Sequence, residues 1–379
     1  MEALSCVVHA NHLYVHVPFC ARRCVYCDFS IAVRSHVPVE EYIYALDREW
    51  LTRHRESEFD LATLYLGGGT PSKLGAEGVS RLMEVVRCRT KVRDNAEITL
   101  EANPEDVSPD SARAWRDAGI NRVSLGVQSF NDQVLAWMHR THDAKAARHA
   151  VEVLREEGIA NLSIDLIFAT PLAIMREWEH DLEIAMGLEL PHLSVYGLTV
   201  EPQTPLGRWV ARRDVSEATE ETFETEYLLA HHQLTSAGFE HYEVSNYGKP
   251  GWHSRHNWAY WNRKAYGGLG PSAHEFDGAG RRWNASAYVD WVARVTRGED
   301  PREGREELGQ EQRMAEEVYL NLRTSTGTSI SPAEYEHIAR LLDAGWAALA
   351  NDSTLRLTGA GWLRLDSIAN NLTLLRSRS

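Results

Sequence analysis

Short apolar runs alternate with segments of helical periodicity along this chain, and that alternation limits the fold more than any other feature. The β-prone runs are Leu13 to Phe19, Leu61 to Leu66, Ile98 to Glu101, Arg122 to Val127, Leu162 to Phe168 and Leu193 to Leu198. Helical periodicity fills the gaps at Val79 to Val86, Ser111 to Ala118, Ala144 to Leu154 and Trp178 to Met186. Strands apolar on both faces and separated by helices assemble as a parallel sheet. Six such units joined by right-handed crossovers predict an α/β fold, a partial (βα)6 TIM-like barrel with its helices outside. A doubly wound open sheet is the alternative.

The residues at the C-terminal end of each run favour the barrel. The first run leads into a cysteine loop, the second into Gly67-Gly68-Gly69-Thr70-Pro71, and the third ends at Glu101-Ala102-Asn103-Pro104. The fourth ends at Gln128-Ser129-Phe130, and the fifth carries Asp165. In a parallel barrel those C-terminal ends share one mouth, where such folds build their sites. Singly, each residue could be a loop cap or a buried hydrogen-bond partner; together they mark a site.

Composition along the chain divides it into three units: a core barrel over 1–245, a tryptophan-rich segment and linker over 246–305, and a small domain over 306–379. Trp252 to Trp291 holds five of the twelve tryptophans, with Gly267-Gly268-Leu269-Gly270 among them. Arg297 to Glu311 reads as an exposed charged linker. Helices around Met314 to Leu322 and Tyr335 to Leu349, then a hairpin over Leu355 to Trp362, predict a small α+β winged-helix-like unit. Glu316, Glu317, Glu334, Glu336 and Asp343 against Arg323 and Arg340 make it unsuited to DNA. The whole chain is acidic as well: 40 Lys plus Arg against 54 Asp plus Glu leave −14, which disfavours bulk nucleic-acid and anionic-membrane binding. No apolar run reaches the roughly 18 residues of a membrane span. The start, MEALSCVVHANHLYVHV, does not read as a signal peptide. The expected compartment is therefore the cytoplasm.

Five cysteines cannot all pair, and Cys20, Cys24 and Cys27 crowd into eight residues. In a reducing compartment such a cluster binds metal or does redox chemistry. Cys6 and Cys88 read as ordinary small, buried or half-buried thiols. A C-x3-C-x2-C loop offers three thiolates to three irons of a 4Fe–4S cluster and leaves the fourth iron open. An amino-acid moiety can chelate that iron, and an electron passed into its sulfonium releases a carbon radical. Zinc, with His16 or His36 as a fourth ligand, is the alternative, but structural zinc sites pair two ligand knuckles and the sequence shows one.

Tyr14-Val-His-Val-Pro-Phe-Cys20 and Cys24-Val-Tyr26-Cys27 resemble the cluster loop of radical S-adenosylmethionine proteins. The specific version is similar to the anaerobic coproporphyrinogen III oxidase family, and within it to the haem-chaperone branch, HemW. Further matches are LGGGTPS (Leu66 to Ser72), EANPE (Glu101 to Glu105), SLGVQSF (Ser124 to Phe130) and HNWAYW (His256 to Trp261), so the likeness runs along essentially the whole chain. It implies that Cys20, Cys24 and Cys27 hold the cluster, with Tyr14 and Tyr26 beside the S-adenosylmethionine. Gly68, Gly69 and Thr70 would let the backbone approach the cofactor's amino end. Glu101 would accept hydrogen bonds from the methionine amine or ribose. Gln128, Arg140 and Asp165 would complete the polar lining, Arg140 as partner of a carboxylate; Thr199 is a weaker correspondence. Without the resemblance, Arg140 could be a surface arginine and Asp165 a cap.

Two departures separate the branches. The oxidases carry a fourth cysteine two residues beyond the third, where this chain has Phe29. They also carry a longer segment ahead of the loop, whereas nineteen residues precede Cys20 here. The HNxxYW element (His256, Asn257, Tyr260, Trp261) points to the chaperone branch too, with His256 as iron ligand of a haem among aromatic walls and Arg255, Arg263 and Lys264 nearby. A satisfied histidine in a tryptophan-rich core is the other reading, and His253 and His274 are rival ligands. Three functions stay open at this point. One is a haem chaperone that passes haem to an acceptor protein, served by an electron donor and without coproporphyrinogen oxidase activity. Another is an oxygen-independent coproporphyrinogen III oxidase. The last is a zinc-stabilised interaction protein.

Overall fold

The computed structural model describes residues 9–171, 174, 177–351 and 353–377. Cys6 lies outside them. Six strands run parallel and in sequence order: β1 (His9–Val17), β2 (Glu58–Gly68), β3 (Lys91–Ala102), β4 (Arg122–Gln128), β5 (Asn161–Phe168) and β6 (His192–Gly197). Each of the six expected apolar runs is one of these strands. The crossovers carry α1 (Val39–Arg53), α2 (Gly75–Arg89), α3 (Pro109–Asp117), α4 (Ala144–Glu156) and α5 (Trp178–Gly187). α3 starts where Ser108 and Ser111 cap each other's backbone behind Pro109, a start signal written in the sequence. Leu64, Leu100, Val123, Ile164 and Leu193, one from each central strand, are fully buried. The result is the expected open barrel, with sequential neighbours paired and no strand-order reversal.

Both rims of the sheet are extended by later parts of the chain. After α6 (Glu220–Ser236), β7 (Glu240–Glu243) and β8 (Asn246–Gly248) add antiparallel strands beside β6. The helix α7 (Arg255–Trp261) comes next, and β9 (Gly267–Leu269) then pairs parallel with β1 at the opposite edge. The glycine run is thus a strand, and a Cβ on Gly268 would stand 2.1 Å from the carbonyl of His274. The segment 246–305 consequently shares the barrel's sheet at both ends. Buried Glu49 of α1 fastens it, accepting from the backbone N–H of Gly270 at 2.8 Å and from the Trp291 indole of α8 (Tyr288–Thr296) at 2.9 Å.

Three expectations about the later elements need correction. The supposed linker contains β12 (Arg302–Glu307), which pairs with β11 (Gly280–Asn284), itself paired with β10 (His274–Phe276). It is an edge strand with most residues exposed, so its charges face water while its backbone is paired. The tail does hold a helix at α9 (Gln310–Arg323), but the next, α10 (Tyr335–Asp343), stops early. Gly345 with φ 70° turns the chain, and β14 (Ala347–Ala350) begins. The hairpin is formed by β14 and β15 (Thr354–Leu357), one turn earlier than expected, and Thr358 caps a short helix over Gly359–Trp362 instead. With β13 (Thr328–Ser329) and α11 (Leu365–Arg376), these elements make the small α+β unit. The Trp362 indole donates to the carbonyl of Leu322 at 2.9 Å inside it. Among the described residues no helix is long and apolar enough to cross a membrane.

Candidate functional site

One cavity of about 500 Å³ opens at the C-terminal ends of the parallel strands. Cys20, Cys24 and Cys27 line it, as do Tyr26, Gly68, Gly69, Thr70, Glu101, Gln128, Arg140, Asp165 and Thr199. Residues scattered over most of the barrel's sequence are brought together, because parallel strands deliver all their C-terminal ends to one face.

The cysteine loop is held at its base. Phe19–Cys20 and Ala32–Val33 form a short parallel pair, and Val25 anchors the middle by accepting from the Leu206 N–H at 2.9 Å. Tyr26 packs on a small apolar cluster of Val134, Met138 and Ile167. Cys20 Sγ lies 3.4 Å from the Thr70 hydroxyl, and burial pushes its thiol up to about 11 in the metal-free chain. Cys88 is on the surface, contrary to expectation: it sits next to Arg87 on the outer face of α2, where no layer covers it.

The polar floor is built from strand ends. Glu101 accepts from the Tyr65 hydroxyl at 2.8 Å and from the Gly68 N–H at 3.0 Å. Burial lifts its carboxyl to about 7, the Tyr65 hydrogen bond opposing and the nearby Asp165 adding to the rise. Asp165 accepts from Ser124 at 3.1 Å and is likewise raised by burial, so it is no loop cap. Arg140 is internal rather than on the surface. Its Nη2 donates to Asn103 at 2.6 Å and to the Gly126 carbonyl at 2.7 Å, and its Nη1 reaches Cys24 Sγ at 3.5 Å. Arg140 Nε is a buried donor without a partner among the described residues, which suits an incoming carboxylate. Gln128 holds a left-handed φ of 72° at the end of β4, a strained backbone of the kind kept at binding sites.

Glycines at the second strand end also fit the chain to itself. A Cβ on Gly69 would stand 2.6 Å from the Pro18 carbonyl and 3.0 Å from Cys20 Sγ; one on Gly68, at φ 118°, would stand 2.7 Å from the His16 ring. Their smallness makes room first for the cysteine loop and for His16. Tyr14, half-buried, stacks on Tyr65 with ring centres 6.2 Å apart and is not among the residues that line the cavity.

His256 does not reach the cavity. It is fully buried inside the barrel, with Nδ1 2.6 Å from the Thr63 hydroxyl and Nε2 2.9 Å from the Tyr260 hydroxyl. Both ring nitrogens are engaged, so the imidazole offers none to a haem iron; the satisfied core histidine is the reading that survives. The cause is the α7 N-terminus, whose first N–H groups are captured by Glu97 of β3, driving the helix against the barrel. Of the rivals, His253 meets Glu240 at 2.8 Å and His274 stacks on Trp283.

The donor set fits an iron–sulfur cluster better than zinc. Three soft thiols share one wall, and His16 is engaged by the Tyr14 hydroxyl and the Ser30 carbonyl at 3.0 Å each. His36 is exposed. Sequence reasoning left Asn103, Glu105 and Ser124 of the lining unassigned, although all three fall within motifs it singled out. Burial would raise Glu105, but hydrogen bonds from His142 and Thr141 outweigh it and hold the carboxyl at about 2.

Residues 14–185 match the Radical SAM superfamily. Over 375 residues the chain is 36% identical to a heme chaperone HemW of Mycobacterium tuberculosis, spanning 95% of this chain and 94% of the relative. It is 34% identical over 318 residues to a heme chaperone HemW of Bacillus subtilis, spanning 83% and 84%. Among solved structures, coproporphyrinogen III oxidase (HemN) of Escherichia coli, described as a radical SAM enzyme, matches with a TM-score of 0.80 over 96% of this chain and 89% of that one. At 22% identity this last likeness is one of fold.

Proposed function

The chain belongs to the HemW family of radical SAM proteins, and on that premise we propose that it is a haem chaperone, binding haem and passing it to an acceptor protein. The observation that carries the cofactor part of this reading is the convergence of three thiols and the Gly68, Glu101, Gln128, Arg140 and Asp165 lining on one cavity. Cys20, Cys24 and Cys27 would hold a 4Fe–4S cluster, and the polar floor would hold S-adenosylmethionine. When bound, that pair supplies electron transfer into a sulfonium. This chain's own residues bind and orient. Glu101 in its ionised form accepts from an ammonium, Arg140 offers Nε to a carboxylate, and Tyr65 fixes Glu101 from below. Reduced thiols suit the cytoplasm, with a separate electron donor as partner.

Oxygen-independent oxidation of coproporphyrinogen III is the second reading, favoured by the fold shared with HemN. Against it stands Phe29, 62% exposed at the position where the oxidases carry a cysteine. Anaerobic reconstitution and then parallel haem-binding and coproporphyrinogen assays separate the two. The chaperone binds haem and leaves coproporphyrinogen III unconverted with S-adenosylmethionine and reductant supplied. Robust turnover would make the oxidase the function.

A further inference from the structure

If His256 is closed, haem needs another seat. The cavity's rim has the parts that its chemistry requires. Haem presents a flat apolar face, an iron that accepts an imidazole nitrogen, and two carboxylates. His139 lines the cavity, is exposed, and has no hydrogen bond to its ring among the described residues. Its backbone sits at φ 61°, a left-handed conformation that a non-glycine residue rarely adopts. Its ring packs against Trp209 in a T-shaped pair, with centres 6.1 Å apart at 75°, and Trp137 backs Trp209 at 6.3 Å. An indole wall therefore steadies an imidazole that carries no hydrogen bond among the described residues.

The same cavity carries Phe29, 62% exposed, and Tyr196, 41% exposed. Large rings partly exposed at a polar site match a macrocycle's face. Arg22 lines the mouth as well, exposed and without a carboxylate partner among the described residues. In a chain of net charge −14, an unpaired arginine at that mouth is a local anion site.

We infer that haem docks across the mouth of the cysteine-lined cavity, with His139 as its iron ligand, Phe29 and Tyr196 against its face, and Arg22 at a propionate. The inference rests on the haem-chaperone reading and gives its cargo a place directly over the cofactor site. Loading and cofactor state would then be coupled through a shared mouth.

The test uses the full chain, anaerobically reconstituted and titrated with haem. His139→Ala should shift the Soret band and weaken haem binding by roughly tenfold or more. Added imidazole should restore the wild-type band, a rescue that a merely structural role would not give. Arg22→Glu should weaken binding without moving the band. Wild-type affinity and an unshifted band in His139→Ala would overturn the assignment while leaving the chaperone reading intact. A wild-type protein that binds no haem would overturn both.

Discussion

His256 Nδ1 lies 2.6 Å from the Thr63 hydroxyl within the barrel, and that contact decides what the histidine can do. Removing the imidazole would leave the buried Tyr260 hydroxyl unpaired, at about 1–3 kcal/mol, while the Thr63 hydroxyl would keep His12 at 2.9 Å. His256→Ala should therefore lower the denaturation midpoint and leave the haem spectrum of the folded fraction unchanged. A variant of wild-type stability that loses its Soret band would return the ligand to His256.

The thiol assignments separate cleanly in an iron assay. Each of Cys20→Ser, Cys24→Ser and Cys27→Ser removes one of three thiolate ligands, so reconstituted protein should lose most of about four irons. Cys88→Ser should keep them, because Cys88 is exposed on α2 and remote from the motif that supplies the ligands. Stoichiometric zinc with little iron would end the cluster reading.

The convergence of the three thiols, the strand order and the polar part of the cavity's lining that the motifs carry were legible in the sequence, because a parallel barrel turns strand-end residues into neighbours. The failures share a cause as well. His256 points into the barrel beneath the site, and its depth depends on packing against Tyr65 and on the capture of α7 by Glu97, a contact between residues more than 150 positions apart. The Arg302–Glu307 strand has no apolar alternation to announce it, since its pairing is carried by the backbone. His139 escaped notice because nothing in a lone histidine beside Arg140 tells that its nitrogens stay free.

Glu101 makes the site sensitive to pH. Its carboxyl, raised to about 7 by burial, keeps a proton in the folded chain over a range in which an unfolded chain has released it. Stability of the cofactor-free protein should therefore fall as pH rises from about 4.5 to 7, by roughly 3 kcal/mol from this group, and level off above. Glu101→Gln should flatten most of that slope, with the remainder of the same sign from Asp165. S-adenosylmethionine binding should run the other way, strengthening through pH 7 as the carboxylate forms and can accept from an ammonium. Thermal melts and equilibrium dialysis across this range check both slopes; a Glu101→Gln protein with the wild-type profile in both would remove Glu101 from the floor.

Gly69→Ala tests why the second strand ends in glycine. The added Cβ would meet the Pro18 carbonyl at 2.6 Å and Cys20 Sγ at 3.0 Å, and a backbone oxygen at that range cannot swing aside like a side-chain tip. The cysteine loop must shift instead, so iron incorporation should fall together with cofactor binding. Gly75→Ala is the matched control: its φ of 72° strains an alanine, but nothing lies within 4 Å of the new methyl group. It should cost about 1–3 kcal/mol of stability, because ψ of 178° puts it in a region that only glycine adopts readily, and leave iron unchanged. If Gly69→Ala keeps its full iron and loses only S-adenosylmethionine, the glycine serves the cofactor's approach and the loop has room to spare.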